Sequence, residues 1–138
     1  MNLTRRDALA LGLGATAASL LPMRATAAAD DAIAAFTGGA ELGSSGVTLT
    51  APEIAENGNT VPVSVDAPGA TAIMILAMGN PTPGVATFNF GALAGSQSAS
   101  TRMRLAGTQD VVAIAKLADG SFAKASSTVK VTIGGCGG

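Results

Sequence analysis

Seven stretches with a two-residue period, separated by turn residues, commit most of this chain to β-structure. Val47-Thr48-Leu49-Thr50 alternates apolar and polar, and Val61-Pro62-Val63-Ser64-Val65 does so again after an Asn57-Gly58 turn signal. Pro62 cannot donate to a ladder, which predicts an edge or a bulge there. After Pro68-Gly69, residues 71–78 form an almost unbroken apolar run, as in a strand covered on both faces. Asn80-Pro81-Thr82-Pro83-Gly84 predicts a loop, because neither proline has an N–H to pair. Residues 85–90 place Phe88 and Phe90 on one face. In residues 98–105, Thr101, Met103 and Leu105 share a face opposite Arg102 and Arg104, which read as solvated. Residues 110–117 are a second buried run. Asp119-Gly120 predicts a hairpin into a last strand that starts at Phe122 and carries Val129, Val131 and Ile133.

Seven short strands in so few residues favour an all-β, immunoglobulin-like antiparallel β-sandwich, with a small barrel as the alternative. The Cys…Trp…Cys hallmark of antibody domains is absent, since the chain has one Cys and no Trp. A short N-terminal helix is expected over residues 30–36. Asp30 or Asp31 is placed to cap it, Ile33 and Phe36 fall on one face, and Gly38-Gly39 stop it. Met74 and Met78 are expected to fill core. With four Phe and no Tyr or Trp, a core of Ala, Val and Ile is thin and would gain from burying a face against a partner.

Residues 1–29 read as an export leader. Thr4-Arg5-Arg6-Asp7 is a charged start with paired arginines, residues 8–21 are apolar, and Ala25-Thr26-Ala27 or Ala27-Ala28-Ala29 supplies the cleavage site. The apolar run is shorter than the ~20 residues that span a bilayer. The paired arginines resemble a twin-arginine (Tat) signal, although Ala8 stands where that signal usually has Phe. Tat carries folded cargo, which would suit co-export with a partner that lacks a signal. The expected organisation is therefore a leader over 1–29, a β-sandwich over 30–133 and a flexible arm over 134–138, working in the periplasm. Beyond residue 29 the charge is five Lys or Arg against eight Asp or Glu, a net of −3. A mildly acidic domain without a basic stripe is no nucleic-acid binder, and no later segment is long and apolar enough for a membrane.

The chemistry concentrates in the last five residues, Gly134-Gly135-Cys136-Gly137-Gly138. Cys136 is the chain's one cysteine, so it is either a free thiol or half of an intermolecular disulfide, such as one joining two copies. The four glycines around it give a narrow tether with wide torsional freedom. Extended, residues 134–136 would carry the thiol about 10 Å from the body at ~3.3–3.6 Å per residue. Ordering such a tether in a partner's channel costs roughly 1–2 kcal/mol per residue, so docking would be weak and reversible. The sequence contains no histidine, which removes His-based acid–base catalysis, Cys-His and Ser-His-Asp nucleophiles, and the common zinc and blue-copper sites. Cys136 has no activating neighbour in its own segment. Such a thiol presents chemistry to other proteins and performs little itself.

The glycine-flanked cysteine after Val129-Lys130-Val131-Thr132-Ile133 resembles the ending of the SoxY family of sulfur-oxidation carrier proteins. Gly58-Asn59-Thr60-Val61-Pro62-Val63-Ser64-Val65, the Asn80-Pro81-Thr82-Pro83 loop and Thr101-Arg102-Met103-Arg104-Leu105 followed by Val111-Val112-Ala113 extend the likeness over the mature chain. The resemblance implies a non-catalytic carrier that binds thiosulfate-derived sulfur covalently on Cys136, as S-thiosulfonate, persulfide or S-sulfonate, without a resident cofactor or metal. It also implies a heterodimer with a SoxZ-like subunit and transient visits to three enzymes. These are a haem-containing enzyme that conjugates thiosulfate, a manganese hydrolase that releases sulfate, and a molybdenum–haem sulfane dehydrogenase.

Two other readings compete. A ubiquitin-like sulfur carrier would use the Gly137-Gly138 carboxylate, but that needs ATP and a substantial helix packed on the sheet. A structural Ig-like periplasmic subunit would use Cys136 only for an intermolecular disulfide.

Overall fold

The computed structural model describes residues 24–134. Their elements are α1 Arg24–Thr37, β1 Leu42–Gly43, β2 Thr48–Thr50, β3 Ile54–Ala55, β4 Val61–Asp66, β5 Ala70–Ala77, β6 Gly84–Asn89, β7 Ser98–Met103, β8 Gln109–Leu117 and β9 Phe122–Val131. Each of the seven expected strands is present, and the two-residue β1 and β3 are additional. The strands form two sheets, one ordered β1-β9-β8-β5-β6 with β3 also on β9, the other ordered β2-β4-β7. The observed architecture is the immunoglobulin-like sandwich.

Alternation explains how the sheets meet. Val61, Val63 and Val65 of β4 and Met103 of β7 face Ile73, Ile75 and Ala77 of β5 and Val111, Ala113 and Ala115 of β8. Burial of each such Val or Ile side chain contributes about 1.5–3 kcal/mol. Pro62, Asp66, Ser100 and Arg102 point the other way and are exposed, so the outer face of the small sheet is polar. The large sheet is buried on both faces, which is why β5 and β8 lack alternation. Its second face presents Met74, Leu76, Val112, Ile114 and Phe122 to Ile33 and Phe36 of α1, with Met78 packed at the margin. Phe36 meets Phe122 edge-on, with ring centres 5.8 Å apart and planes at 70°.

Two local expectations come out differently. The helix begins at Arg24, so Asp30 and Asp31 sit within it rather than capping its start; the alanine-rich segment before them is strongly helix-forming. It ends where expected, with the Gly38 N–H donating to the Ala34 carbonyl at 2.8 Å. Pro62 lies in β4, the middle strand of its sheet, yet the expectation of an open side survives locally. β2 pairs only with residues 64–66 of β4, leaving Pro62 in register with Arg102 of β7 alone.

The start of the sandwich positions the far end of the chain. β1 runs parallel to the beginning of β9, opposite Phe122 and Ala123, and β3 runs parallel to its end, opposite Lys130 and Val131. Between them the chain crosses to the small sheet as β2. This detour lays residues 53–58 beside the point where β9 finishes.

Candidate functional site

Cys136, Gly135, Gly137 and Gly138 lie outside the described residues, as does the twin-arginine start of the leader. Of the expected arm, Gly134 is described, together with the junction from which the arm departs. That junction is built by three separate stretches of chain.

The first stretch is the segment around β3. Lys130 N–H donates to the Glu53 carbonyl at 2.9 Å and Thr132 N–H to the Ala55 carbonyl at 3.1 Å. The Ile133 carbonyl accepts from Gly58 N–H at 2.8 Å, while the Gly58 carbonyl accepts from Leu105 N–H at 2.7 Å. Gly58, singled out by sequence as a turn residue, is therefore buried and bonds the arm's root on one side and the end of β7 on the other. The Thr132 hydroxyl adds a bond to the Glu56 carbonyl at 3.1 Å.

The second stretch, residues 104–108, closes over the root from the other side. Val131 N–H donates to the Thr108 hydroxyl at 3.0 Å. A Cβ built on Gly134 would stand 2.6 Å from the Ala106 carbonyl oxygen, closer than real Cβ contacts come. The first of the C-terminal glycines is thus required by packing. Any larger residue there has to displace backbone.

The third stretch holds the second in place, and sequence reasoning missed its role. Asn80 Nδ2 donates to the Arg104 carbonyl at 2.8 Å. Its Oδ1 accepts from Ala106 N–H at 2.9 Å and from Gln109 Nε2 at 2.8 Å. Gln109, one of the few buried polar side chains, accepts from Gly79 N–H at 2.8 Å through Oε1 and donates to the Gly107 carbonyl at 3.1 Å through Nε2. Two side-chain amides therefore fix the path of residues 104–107. The one sequence signal was a polar Gln at the head of an apolar strand beside an Asn-Pro loop. Its partners lie 24–30 residues apart, beyond any local pattern.

Arg102 and Arg104 are exposed as expected, with Met103 and Leu105 buried between and after them. Two large apolar side chains at this end are also exposed, Ile54 in β3 and Ile133 just before the arm. Among the described residues, no group of three or more His, Cys, Asp or Glu side chains is arranged to hold a metal ion. The described residues of the junction form a fixed anchor for the end of β9.

Residues 33–136 match the family described as sulfur oxidation protein SoxY, so the match ends on Cys136. The chain belongs to the SoxY family. The sulfur carrier protein SoxY from Chlorobium limicola f thiosulfatophilum is 41% identical, with a TM-score of 0.67 over 78% of this chain and 98% of that one. Superoxide reductases share the fold at much lower identity. The neelaredoxin of Ignicoccus hospitalis matches at 16% identity and TM-score 0.56 over 64% of this chain and 81% of that one. The enzyme from Nanoarchaeum equitans matches at 11% and 0.54 over 64% and 99%. No curated protein sequence matches the chain. Membership in the SoxY family supports a carrier role in sulfur oxidation.

Proposed function

We propose that this chain is an exported carrier that holds thiosulfate-derived sulfur covalently on Cys136 and presents it to enzymes of thiosulfate oxidation. The observation that carries the reading is the family match running through to Cys136, the single cysteine, set among glycines. Residues 1–29 act as the twin-arginine leader, residues 30–133 as the handle that partners grip, and residues 134–138 as the arm. The partner of the handle is a SoxZ-like subunit without its own signal, co-exported into the periplasm. Exposed Ile54 and Ile133 beside the junction give a docked protein apolar surface to cover.

The chemistry balances without a catalytic group on this chain. Coupling joins the Cys136 sulfur to the outer sulfur of thiosulfate, releasing one proton and two electrons to a haem-containing partner, and leaves an S-thiosulfonate. Water then attacks the terminal sulfur with help from the manganese hydrolase, releasing hydrogensulfate and leaving a persulfide on the carrier. A molybdenum–haem dehydrogenase then takes the persulfide onward to S-sulfonate, adding three oxygens from water, releasing seven protons and accepting six electrons. A firm anchor at Gly134 suits this work, because each enzyme meets the arm at one defined exit.

Cys136→Ser tests the reading. Reconstituted thiosulfate oxidation should fall to background while the fold and partner binding persist. If disulfide-linked species vanish but oxidation continues at the wild-type rate, the structural-subunit reading is correct instead.

A further inference from the structure

The expected end of the leader falls inside a helix. Both candidate cut points, after Ala27 and after Ala29, lie within α1 Arg24–Thr37, and their surroundings differ. Ala27 is exposed and Ala28 half-buried, whereas Ala29 is completely buried. Ala29 precedes Ala32 and Ile33 by three and four residues, so it shares the helix face that packs on the large sheet. The other end of α1 is tied down. Phe36 meets Phe122, the Thr37 hydroxyl donates to the Ile33 carbonyl at 2.8 Å, and Gly38 N–H donates to the Ala34 carbonyl at 2.8 Å. The helix therefore opens from its start, turn by turn toward Ala29.

A peptidase that reads a small-residue motif takes its substrate extended, pairing with backbone groups that a helix keeps for itself. The chain around the cut must therefore unwind. Cutting after Ala27 unwinds the exposed start and lets Ala29 return to its seat. Cutting after Ala29 removes the buried methyl from the domain. The aspartates bear on the same choice. The helix from Arg24 has no acidic residue in its first turn, and Asp30 and Asp31 occupy its seventh and eighth positions, where Asp is a poor helix former. In a helix beginning at Ala28 they become the third and fourth residues, where carboxylates complement the positive end of the helix dipole. A helix beginning at Asp30 keeps the carboxylates and forfeits Ala29.

We propose that the processing site is the Ala27–Ala28 bond, and that the docked helix selects it over the bond after Ala29. This rests on reading the first residues as an export leader and sets its boundary two residues earlier. Water adds across the bond, leaving a carboxylate on Ala27 and a new α-amino group on Ala28. The mature helix then spans residues 28–37, with Ala29 buried and Asp30-Asp31 in its first turn. Processing thus trims a helix to the length at which its buried face and its charged residues both fit.

Sequencing the N-terminus of the exported chain tests this, and the main species should begin at Ala28. Ala25→Leu supplies an independent arm. Residue 25 is the outer small residue of the motif for a cut after Ala27 and lies outside the motif for a cut after Ala29. It is absent from the mature chain, so its substitution leaves the mature fold untouched. Pulse-chase of Ala25→Leu should show processing slowed about ten-fold or more, with precursor accumulating. Two chains released from a cleavable fusion, one beginning at Ala28 and one at Asp30, test the role of Ala29. Amides of residues 32–36 should exchange about four-fold faster in the shorter chain, the scale of one buried methyl. A main species beginning at Asp30, unaltered processing of Ala25→Leu, or equal exchange in the two chains overturns the proposal. Each of these leaves the exported-carrier reading standing. A chain that keeps Met1 and stays in the cytoplasm overturns the proposal and the leader reading together.

Discussion

The two ends of β9 are built in opposite ways. Its start is local: the hairpin closes with Leu117 N–H to the Ser121 carbonyl at 2.8 Å and Gly120 N–H to the Leu117 carbonyl at 3.0 Å. Gly120 holds φ +86°, which the turn requires, and Asp119 accepts from both the Ser121 N–H and its hydroxyl. Its finish is assembled from distant chain, with Thr132 bonded to residues 76 and 77 positions away and Gly134 lying against Ala106. A turn that refers only to itself can be read from six consecutive residues. A junction that fixes where the C-terminal glycines leave the body needs walls from several elements, since no single segment surrounds it.

The contrast can be sharpened by substitution. The largest effect is expected at the start of β9, where Phe122 packs between the large sheet and Phe36. Phe122→Ala should cost about 3–5 kcal/mol in chemical denaturation, mostly as lost burial and cavity, with the sequence of carrier chemistry unaltered in whatever remains folded. Asn80→Ala should cost less, about 2 kcal/mol, because it strips partners from Ala106 N–H, Gln109 Nε2 and the Arg104 carbonyl in a half-buried place. Its signature should be regional. Amide exchange should quicken at residues 104–109 and at Gly58, whose N–H donates to the Ile133 carbonyl, while the hairpin at 117–121 stays protected. Uniform loss of protection at both ends would contradict the division.

The smallest effect is at the hairpin. The Ser121 hydroxyl first, then the Ser121 N–H, hold the Asp119 carboxyl below its usual value. A lowered folded pKa adds stability above the unfolded value of about 3.9, and that contribution fades as pH falls through the folded value. The melting temperature of Asp119→Asn should therefore sit slightly below that of the parent at pH 7 and converge on it once the pH has fallen below the lowered folded value. A gap that widens in acid would reverse the sign. Asp119 is fully exposed, so the whole effect should be slight.

The same contrast explains what could be read in the sequence. Repeating periods gave away the seven longer strands, both doubly covered runs and the sandwich, because each strand writes its burial into its own alternation. The two-residue β1 and β3 escaped, since two residues make no period, and with them went the parallel pairing that brings residues 53–58 to the arm's root. Pro62 was legible as an interruption, though its place in a middle strand was not. At the site, Cys136 and its glycines stood out by composition. Asn80, Ala106 and Gln109 did not, because an ordinary amide acquires its role only when the fold brings its partners across 24–30 positions of sequence.

Cys136 as a covalent sulfur handle is the central claim, and mass spectrometry of the intact protein purified from the periplasm under non-reducing conditions addresses it most directly. The account predicts a mature chain lacking the leader and carrying additions of sulfur and of thiosulfate that a reductant removes, all on the C-terminal peptide containing Cys136. A thiol that stays bare when thiosulfate and the pathway enzymes are supplied, or an addition placed on the terminal carboxylate, would contradict it.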